Sequence, residues 1–462
     1  MKKTLNIKNN MRVMLVIFCC LFVLLGSYLL YSTVVYGDQW FTTPYNPRIS
    51  ASKNIENAGA IYDRNGVPLA YTENGERKYA EGEDMRRSVS HIVGDIYGKS
   101  LGAETLFAKY LYGYDQNVAD KLNSAQSGQH GGDVYLTIDA NLSEYIYDNM
   151  KPEPGAVVLL NYETGEVLAS VSKPTFDPYT AKEDTDETGA KFINRVTQGL
   201  YPPGSTMKIL TTAAAIENGV TDLETDCAQS AIIEGQNITC PKEGGHGHMD
   251  LKSAFEQSCN VYFGELAVEL GDARMLDTAG KFAYNYNFKF PDFTLYNSKF
   301  DVSGNKGDLA WGGIGQYKDL ITPMHNAMIS AGVANGGVIM QPNTLKDVKY
   351  GGQSSFNYHP TEFKQIMPQD TAAQIVDLMR GTVTDGTASK ANVDGVTVCG
   401  KTGTAEYTEE GQIKNHSWFV GFLEDSAHPL AIAVIGEGAG FGSSYATPLA
   451  GKILGHAVDM GY

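Results

Sequence analysis

The sequence is short of positive charge: 36 Lys and Arg stand against 53 Asp and Glu, a net of −17. So acidic a body lacks the basic footprint that nucleic acid requires, which excludes wrapping DNA or RNA. No unit recurs at roughly 20–50 residues, which excludes a solenoid or propeller. The 50 Gly and 17 Pro follow no triplet period, which excludes a collagen-like rod. Charged residues make up only 19% and hydrophobic residues 42%, so the chain is not disordered. Its 462 residues leave room for two or three domains and a sizeable core.

One apolar run is present near the N-terminus. Lys2, Lys3, Lys8 and Arg12 precede an uncharged stretch from Val13 to Gly37. A helix of that length crosses about 30 Å of hydrocarbon. No small-x-small cleavage site follows it, so it reads as an anchor rather than a signal peptide. Val16-Ile17-Phe18 offers no small residue for lipoprotein processing before Cys19 and Cys20, which read as membrane-helix cysteines. The basic flank predicts a cytoplasmic N-terminus, with the rest of the chain across the membrane. There, Cys227 and Cys240 could close a disulfide, bind zinc with His246 and His248, or remain free thiols like Cys259 and Cys399.

The order of elements predicts a tail (1–12), a membrane helix (13–37), a linker with a small N-terminal domain (38–150) and a larger domain (151–462). Asp63-Arg64-Asn65-Gly66 is a hairpin turn between Ile61-Tyr62 and Val67-Pro68-Leu69. Val134–Ile138 reads as a strand, with a helix around Leu142–Met150. Ala156–Leu160 and Glu166–Val171 read as strands joined at Tyr162–Gly165. Helical patterns dominate from about 205 to 290 and return around 320–335 and 369–381. Strand patterns recur at Val396–Cys399, Trp418–Phe422 and Leu430–Ile435, and Pro448–Val458 reads as a closing helix. Strands at both ends with helices between them predict an α+β fold on an antiparallel sheet.

Three segments carry chemistry. In Tyr201-Pro202-Pro203-Gly204-Ser205-Thr206-Met207-Lys208, the breakers predict a helix starting at Ser205. Ser205 and Lys208 are then one turn apart on the same face, where a neutral amine can take the hydroxyl proton. Ser50…Lys53, Ser170…Lys173 and Ser303…Lys306 share the spacing but not the context. Ser258-Cys259-Asn260 falls between two short helical patterns, the first capped by Asp250, so Ser258 and Asn260 can point one way into a cleft. Lys401-Thr402-Gly403-Thr404 continues a strand pattern. It is expected to set a lysine charge at the rim and a glycine where a ligand or helix approaches.

In this order the segments match the Ser-x-x-Lys, Ser-x-Asn, Lys-Thr-Gly triplet of penicillin-binding proteins and serine β-lactamases, which the chain resembles. Gly155–Val158 through Pro174–Pro178, Gly313–Gln316, Ala334–Gly337 and Asn415–Phe422 resemble the same transpeptidase domain. Ile61–Gly66 is similar to the class B pedestal, although Ala58 stands where that pattern usually has Arg. The short spacer makes the compact, PbpA-like class B enzymes the nearest resemblance.

That resemblance implies a penicillin-binding, β-lactamase-like transpeptidase domain with a helical subdomain, preceded by a β-rich pedestal. It implies that Ser205 is acylated by a D-Ala-D-Ala stem peptide of peptidoglycan, or by a β-lactam. Lys208 would be the proton acceptor, Ser258 the relay to the leaving D-alanine, and Asn260 a positioner of Lys208 and the substrate amide. Lys401, Thr402 and Thr404 would hold the terminal carboxylate, with Gly403 between them. No metal or cofactor is implied. A glycosyltransferase of the SEDS family (RodA/FtsW type) is the expected partner, through the Val13–Tyr36 helix and the segment around Ile61–Ala70. A D,D-carboxypeptidase, a β-lactam-binding sensor and a β-lactamase are the rival readings. The long N-terminal anchor and the intact serine and lysine set speak against them.

Overall fold

A computed structural model describes residues 7–41, 55–116, 118–127, 131–150, 154–184, 190–302, 305–409 and 411–462. Ser50…Lys53 and Ser303 lie outside them. Helix Ile7–Phe41 contains Asn10–Tyr36, the one span among the described residues long and apolar enough to cross a membrane, with mean hydropathy 2.8.

The pedestal begins with β1 (Ile61–Tyr62) and β2 (Pro68–Glu73), antiparallel around the Asp63–Gly66 turn. Asp63 Oδ1 accepts the Asn65 and Val67 N–H groups at 2.8 Å each, and Gly66 takes the positive φ of 87° that closes the turn. Next come β3 (Glu76–Tyr79) and β4 (Asp133–Leu136), the latter parallel to β1. The sheet is completed from far along the chain, by β12 (Leu345–Tyr350) against β4 and β13 (Gln353–Asn357) at the edge. Its order is β13-β12-β4-β1-β2-β3.

The second sheet holds β5 (Gly155–Asn161), β6 (Val167–Lys173), β15 (Val398–Glu409), β16 (Gln412–Leu423) and β17 (Leu430–Gly436). The order is β15-β16-β17-β5-β6, antiparallel throughout. Alternate residues of β5 serve two cores. Val157 and Leu159 pack with Ile432, Val434, Leu449 and Ile453, while Ala156 and Val158 join Trp418, Val420 and Ala433. Helices Pro323–Ala334 and Ala446–Asp459 both pack on β17. Covered on both faces, β17 is apolar without alternation. A smaller pair, β11 (Val338–Met340) and β14 (Glu362–Gln365), lies beside Pro323–Ala334.

The helical reading of 205–290 is corrected in its middle. Between helices Lys208–Glu217 and Leu251–Glu256 the chain forms β7 (Thr225–Cys227), β8 (Ser230–Ile233), β9 (Gln236–Thr239) and β10 (Gly247–Met249). β7 pairs with β10 and β8 with β9. Glu234 and Gly235 both take positive φ, the two-residue hairpin geometry that helical periodicity overrides on paper.

Candidate active site

Ser205 lies in a 3₁₀ turn, Gly204–Met207, that runs into helix Lys208–Glu217. The turn is pressed against β15 and β16. Trp418 Nε1 donates to Pro202 O at 3.0 Å, and Gly204 N donates to Gly315 O at 2.8 Å. Gly403 makes the approach possible: a Cβ there would sit 2.8 Å from Trp418 Cβ and 3.0 Å from Thr206 Cγ2. The 3₁₀ turn that carries Ser205 is thus the helical neighbour that approaches this glycine.

The second wall is the corner between helices Leu251–Glu256 and Asn260–Lys281. Asp250 caps the first by accepting the Ser253 N–H, and Ser253 Oγ reciprocates to the Asp250 N–H. The corner turns at Ser258, whose φ of 57° is left-handed. The third wall is β15, the edge strand of its sheet. Its Thr402 and Thr404 line the cleft with Ser205, Ser258 and Asn260, and Gln316 and Thr387 join them. Thr402 Oγ1 shares a hydrogen bond of 2.7 Å with Thr387 Oγ1. Thr387 had no spacing signal in the sequence, and Gln316 had only its place in Gly313–Gln316.

Two amines lie beneath the cleft, Lys208 and Lys401, each 0% exposed. Lys401 is therefore not at the rim: its aliphatic stem is buried and its ammonium points inward. Both converge on Ser258. Lys208 Nζ donates to Ser258 O at 2.8 Å, Ser258 Oγ at 3.2 Å and Asn260 Oδ1 at 2.7 Å. Lys401 Nζ donates to the same Ser258 Oγ at 2.9 Å and to Thr402 O at 3.4 Å. Burial pulls the Lys208 amine down to about 8, with nearby thiols opposing the shift. Burial, and then the Lys208 charge, push Lys401 well below its ordinary range. A serine hydroxyl between two amines that burial pushes toward neutrality can pass protons in either direction.

A cluster of sulfur lies behind the same corner. Cys227 Sγ is 3.6 Å from Cys240 Sγ and 3.5 Å from His246 Nδ1, and Cys240 Sγ is 3.8 Å from Cys259 Sγ. The three cysteines are free thiols, so Cys227 and Cys240 are not joined as a disulfide in this structure. His248 is apart from the cluster, paired with Asp226 at 3.1 Å. Cys259 takes the place expected for His248. It was hidden in the sequence because it is the middle residue of the Ser-x-Asn motif.

With this geometry established, comparison with known proteins places the chain. The profile of the penicillin binding protein transpeptidase domain matches residues 155–455, and the chain belongs to that family. Over 362 residues it is 30% identical to the peptidoglycan D,D-transpeptidase PbpA of Mycobacterium tuberculosis, covering 71% of this chain and 73% of that one. The PbpA of Mycolicibacterium smegmatis is 26% identical and aligns over 98% of this chain and 99% of its own length. Among solved structures, the penicillin G acyl-enzyme complex of penicillin-binding protein A from M. tuberculosis is similar, with TM-score 0.76 and 26% identity. It covers 87% of this chain and 99% of that one. Within the family the chain is of the class B type, a serine acyltransferase of the PbpA kind.

Proposed function

We propose that the chain is a peptidoglycan D,D-transpeptidase that crosslinks stem peptides through an acyl-enzyme on Ser205. The observation that carries this reading is the convergence of two buried amines on Ser258 Oγ, beneath a cleft that Ser205 lines. Ser205 Oγ attacks the carbonyl of the penultimate D-alanine, and its proton passes to neutral Lys208. The N–H groups of Ser205 and Thr404 stabilise the oxyanion, an effect worth about 3–4 kcal/mol per donor in serine enzymes. The C–N bond breaks, Ser258 delivers its proton to the departing D-alanine, and Lys208, 3.2 Å from Ser258 Oγ, reprotonates Ser258 with the proton it took from Ser205, while Lys401 orients the Ser258 hydroxyl. Asn260 holds Lys208, as its 2.7 Å hydrogen bond supports. Thr402, Thr404 and the edge of β15 receive the terminal carboxylate. The amine of a second peptide then takes the acyl group, releasing Ser205. β-Lactams enter by the same attack and remain attached, blocking the acceptor.

The membrane helix holds the N-terminus in the cytoplasm and the catalytic domain outside, as its basic flank directs. The strands to be crosslinked come from a SEDS-family polymerase bound through that helix and the pedestal. In the pedestal segment, Ile61, Leu69 and Ala70 are buried, so the contact falls on the turn from Arg64 to Pro68.

The test is labelled penicillin on the full chain. A covalent adduct is expected at Ser205 and none in Ser205→Ala; an adduct persisting in that variant would remove Ser205 as nucleophile. With stem-peptide substrate, crosslinked product should exceed released D-alanine from hydrolysis. The reverse ratio would make the protein a carboxypeptidase.

A further inference from the structure

The four side chains behind the Ser258 corner have the dimensions of a metal site. Zinc binds thiolate at about 2.3 Å and imidazole at about 2.0–2.1 Å in a tetrahedron, so its ligand atoms stand roughly 3.8 Å apart for two sulfurs and roughly 3.5 Å for sulfur and nitrogen. The observed separations are 3.6 Å and 3.8 Å between sulfurs and 3.5 Å from Cys227 Sγ to His246 Nδ1. All four ligand atoms lie within 4.8 Å of one another. A disulfide would need its sulfurs at about 2.05 Å and would leave the third thiol and the imidazole unused. Three soft thiolates with one imidazole suit zinc rather than a hard cation.

The backbone is shaped for this set. Cys227 ends β7, Cys240 follows β9, and His246 sits in the turn before β10. That turn closes because Gly245 has φ 81° and no Cβ, which would lie 2.1 Å from Cys227 O. Its neighbour His246 N donates to the same Cys227 O at 3.0 Å. One second-sphere bond is present as well: Asn260 N donates to Cys240 Sγ at 3.1 Å, as backbone amides do to metal-bound sulfur. The region also needs a staple. It consists of two separate two-stranded pairs, and such pairs are marginal alone. Ile233, Ile238 and Met249 are, with Cys227 and Cys240, what it contributes to the core.

We propose that Cys227, Cys240, His246 and Cys259 bind one zinc ion, and that the ion pins the Ser258–Cys259–Asn260 corner in place under Lys208. Cys259 is covalently between the two residues that Lys208 Nζ contacts, and Cys240 holds the Asn260 amide. Releasing the metal frees the corner from the β7–β10 region. Cys259 is thus a positioning residue, acting through Ser258 and Asn260. The pinning rests on the transpeptidase reading; the metal site does not.

The full chain, purified in detergent under reducing conditions, should carry about one zinc per molecule by elemental analysis. After stripping with a chelator, added Co²⁺ should give thiolate-to-metal charge transfer and the intense visible bands of a tetrahedral site. His246→Ala should lose most of the metal and His246→Cys should keep it. No zinc in the wild-type chain together with no cobalt spectrum would overturn the site. So would an intact mass showing Cys227 and Cys240 oxidised to a disulfide in the protein isolated without reductant. Stripping should slow penicillin acylation about 10–100-fold, with zinc restoring it. An unchanged acylation rate would overturn the pinning. Absence of acylation even with zinc bound would count against the transpeptidase reading and leave the metal site standing.

Discussion

On the proposed mechanism, Lys208 controls the rate of acylation through its proton. Its amine must be neutral to accept the Ser205 proton, and burial has lowered it to about 8. Acylation by penicillin should therefore rise with pH and level off above about 8. A rate flat from pH 6 to 10 would assign the base elsewhere. The same shift is a stability statement. The unfolded lysine titrates near about 10.4, so between about 8 and about 10.4 the unfolded chain binds the extra proton. Lys208's contribution to stability is complete above that window and is lost as pH falls through it. Lys208→Ala should lower the acylation rate by about 100-fold or more while noncovalent β-lactam affinity changes little, separable by stopped-flow at varied antibiotic concentration. At this scale much of the site was legible, because a Ser-x-x-Lys behind Pro202-Pro203-Gly204 or a Ser-x-Asn at a helix junction is a local pattern. Lys401 at the rim was misread because strand alternation tells which face a residue takes, not how deeply that face is covered. Cys259 was missed because its partners, Cys240 and Cys227, are brought to it only by tertiary structure.

The elements that make the cleft are a strand edge, a helix start and a helix corner, held at close range. Gly403→Ala tests that range. The added methyl meets Trp418 Cβ, Thr206 Cγ2 and Pro203 O, all within 3.2 Å, so the Ser205 turn must lift from β15. A loss of about 1–3 kcal/mol in unfolding free energy is expected. Penicillin labelling should fall with it, measured at a temperature where the variant remains folded. Wild-type stability in that variant would mean that the turn and strand are not tightly apposed. The long sheet strands and the helices at Pro323–Ala334 and Ala446–Asp459 were readable from their apolar runs, since burial on one or both faces writes itself into several consecutive residues. The short strands β7 to β10 were not. They are three or four residues each, and apolar Ala231-Ile232-Ile233 sits in a hairpin whose Ile232 is exposed. The Glu234-Gly235 pair was the available signal for that hairpin.

For the whole molecule, the anchor and the catalytic domain have separable tasks. Exchanging Val13–Tyr36 for an unrelated membrane helix, and scrambling Arg64–Pro68, should abolish co-purification with a SEDS polymerase and stimulation of glycan synthesis. Penicillin acylation should be retained by the helix exchange, because no residue of that helix lines the cleft. Polymerase binding and stimulation that survive both changes would leave the helix as an anchor only. Charge patterning carried the anchor and its flank in the sequence. The union of pedestal and catalytic domain was not visible there, because β12 and β13 lie in the second half of the chain and carry no mark of the sheet they join.

That late contribution to the pedestal sets an order in time. Synthesis delivers β1 to β4 first, yet β4, paired with β1 on one side, finds its partner on the other side only in β12, with Val134 opposite Val348. Until Leu345–Tyr350 emerges, β4 presents an open edge of unpaired N–H and C=O groups, the kind of template that recruits strands from other molecules. Pairing at such sequence separation is slow to form. The first domain made is therefore among the last to close, and chains that stop short of Leu345 are the ones most prone to aggregate.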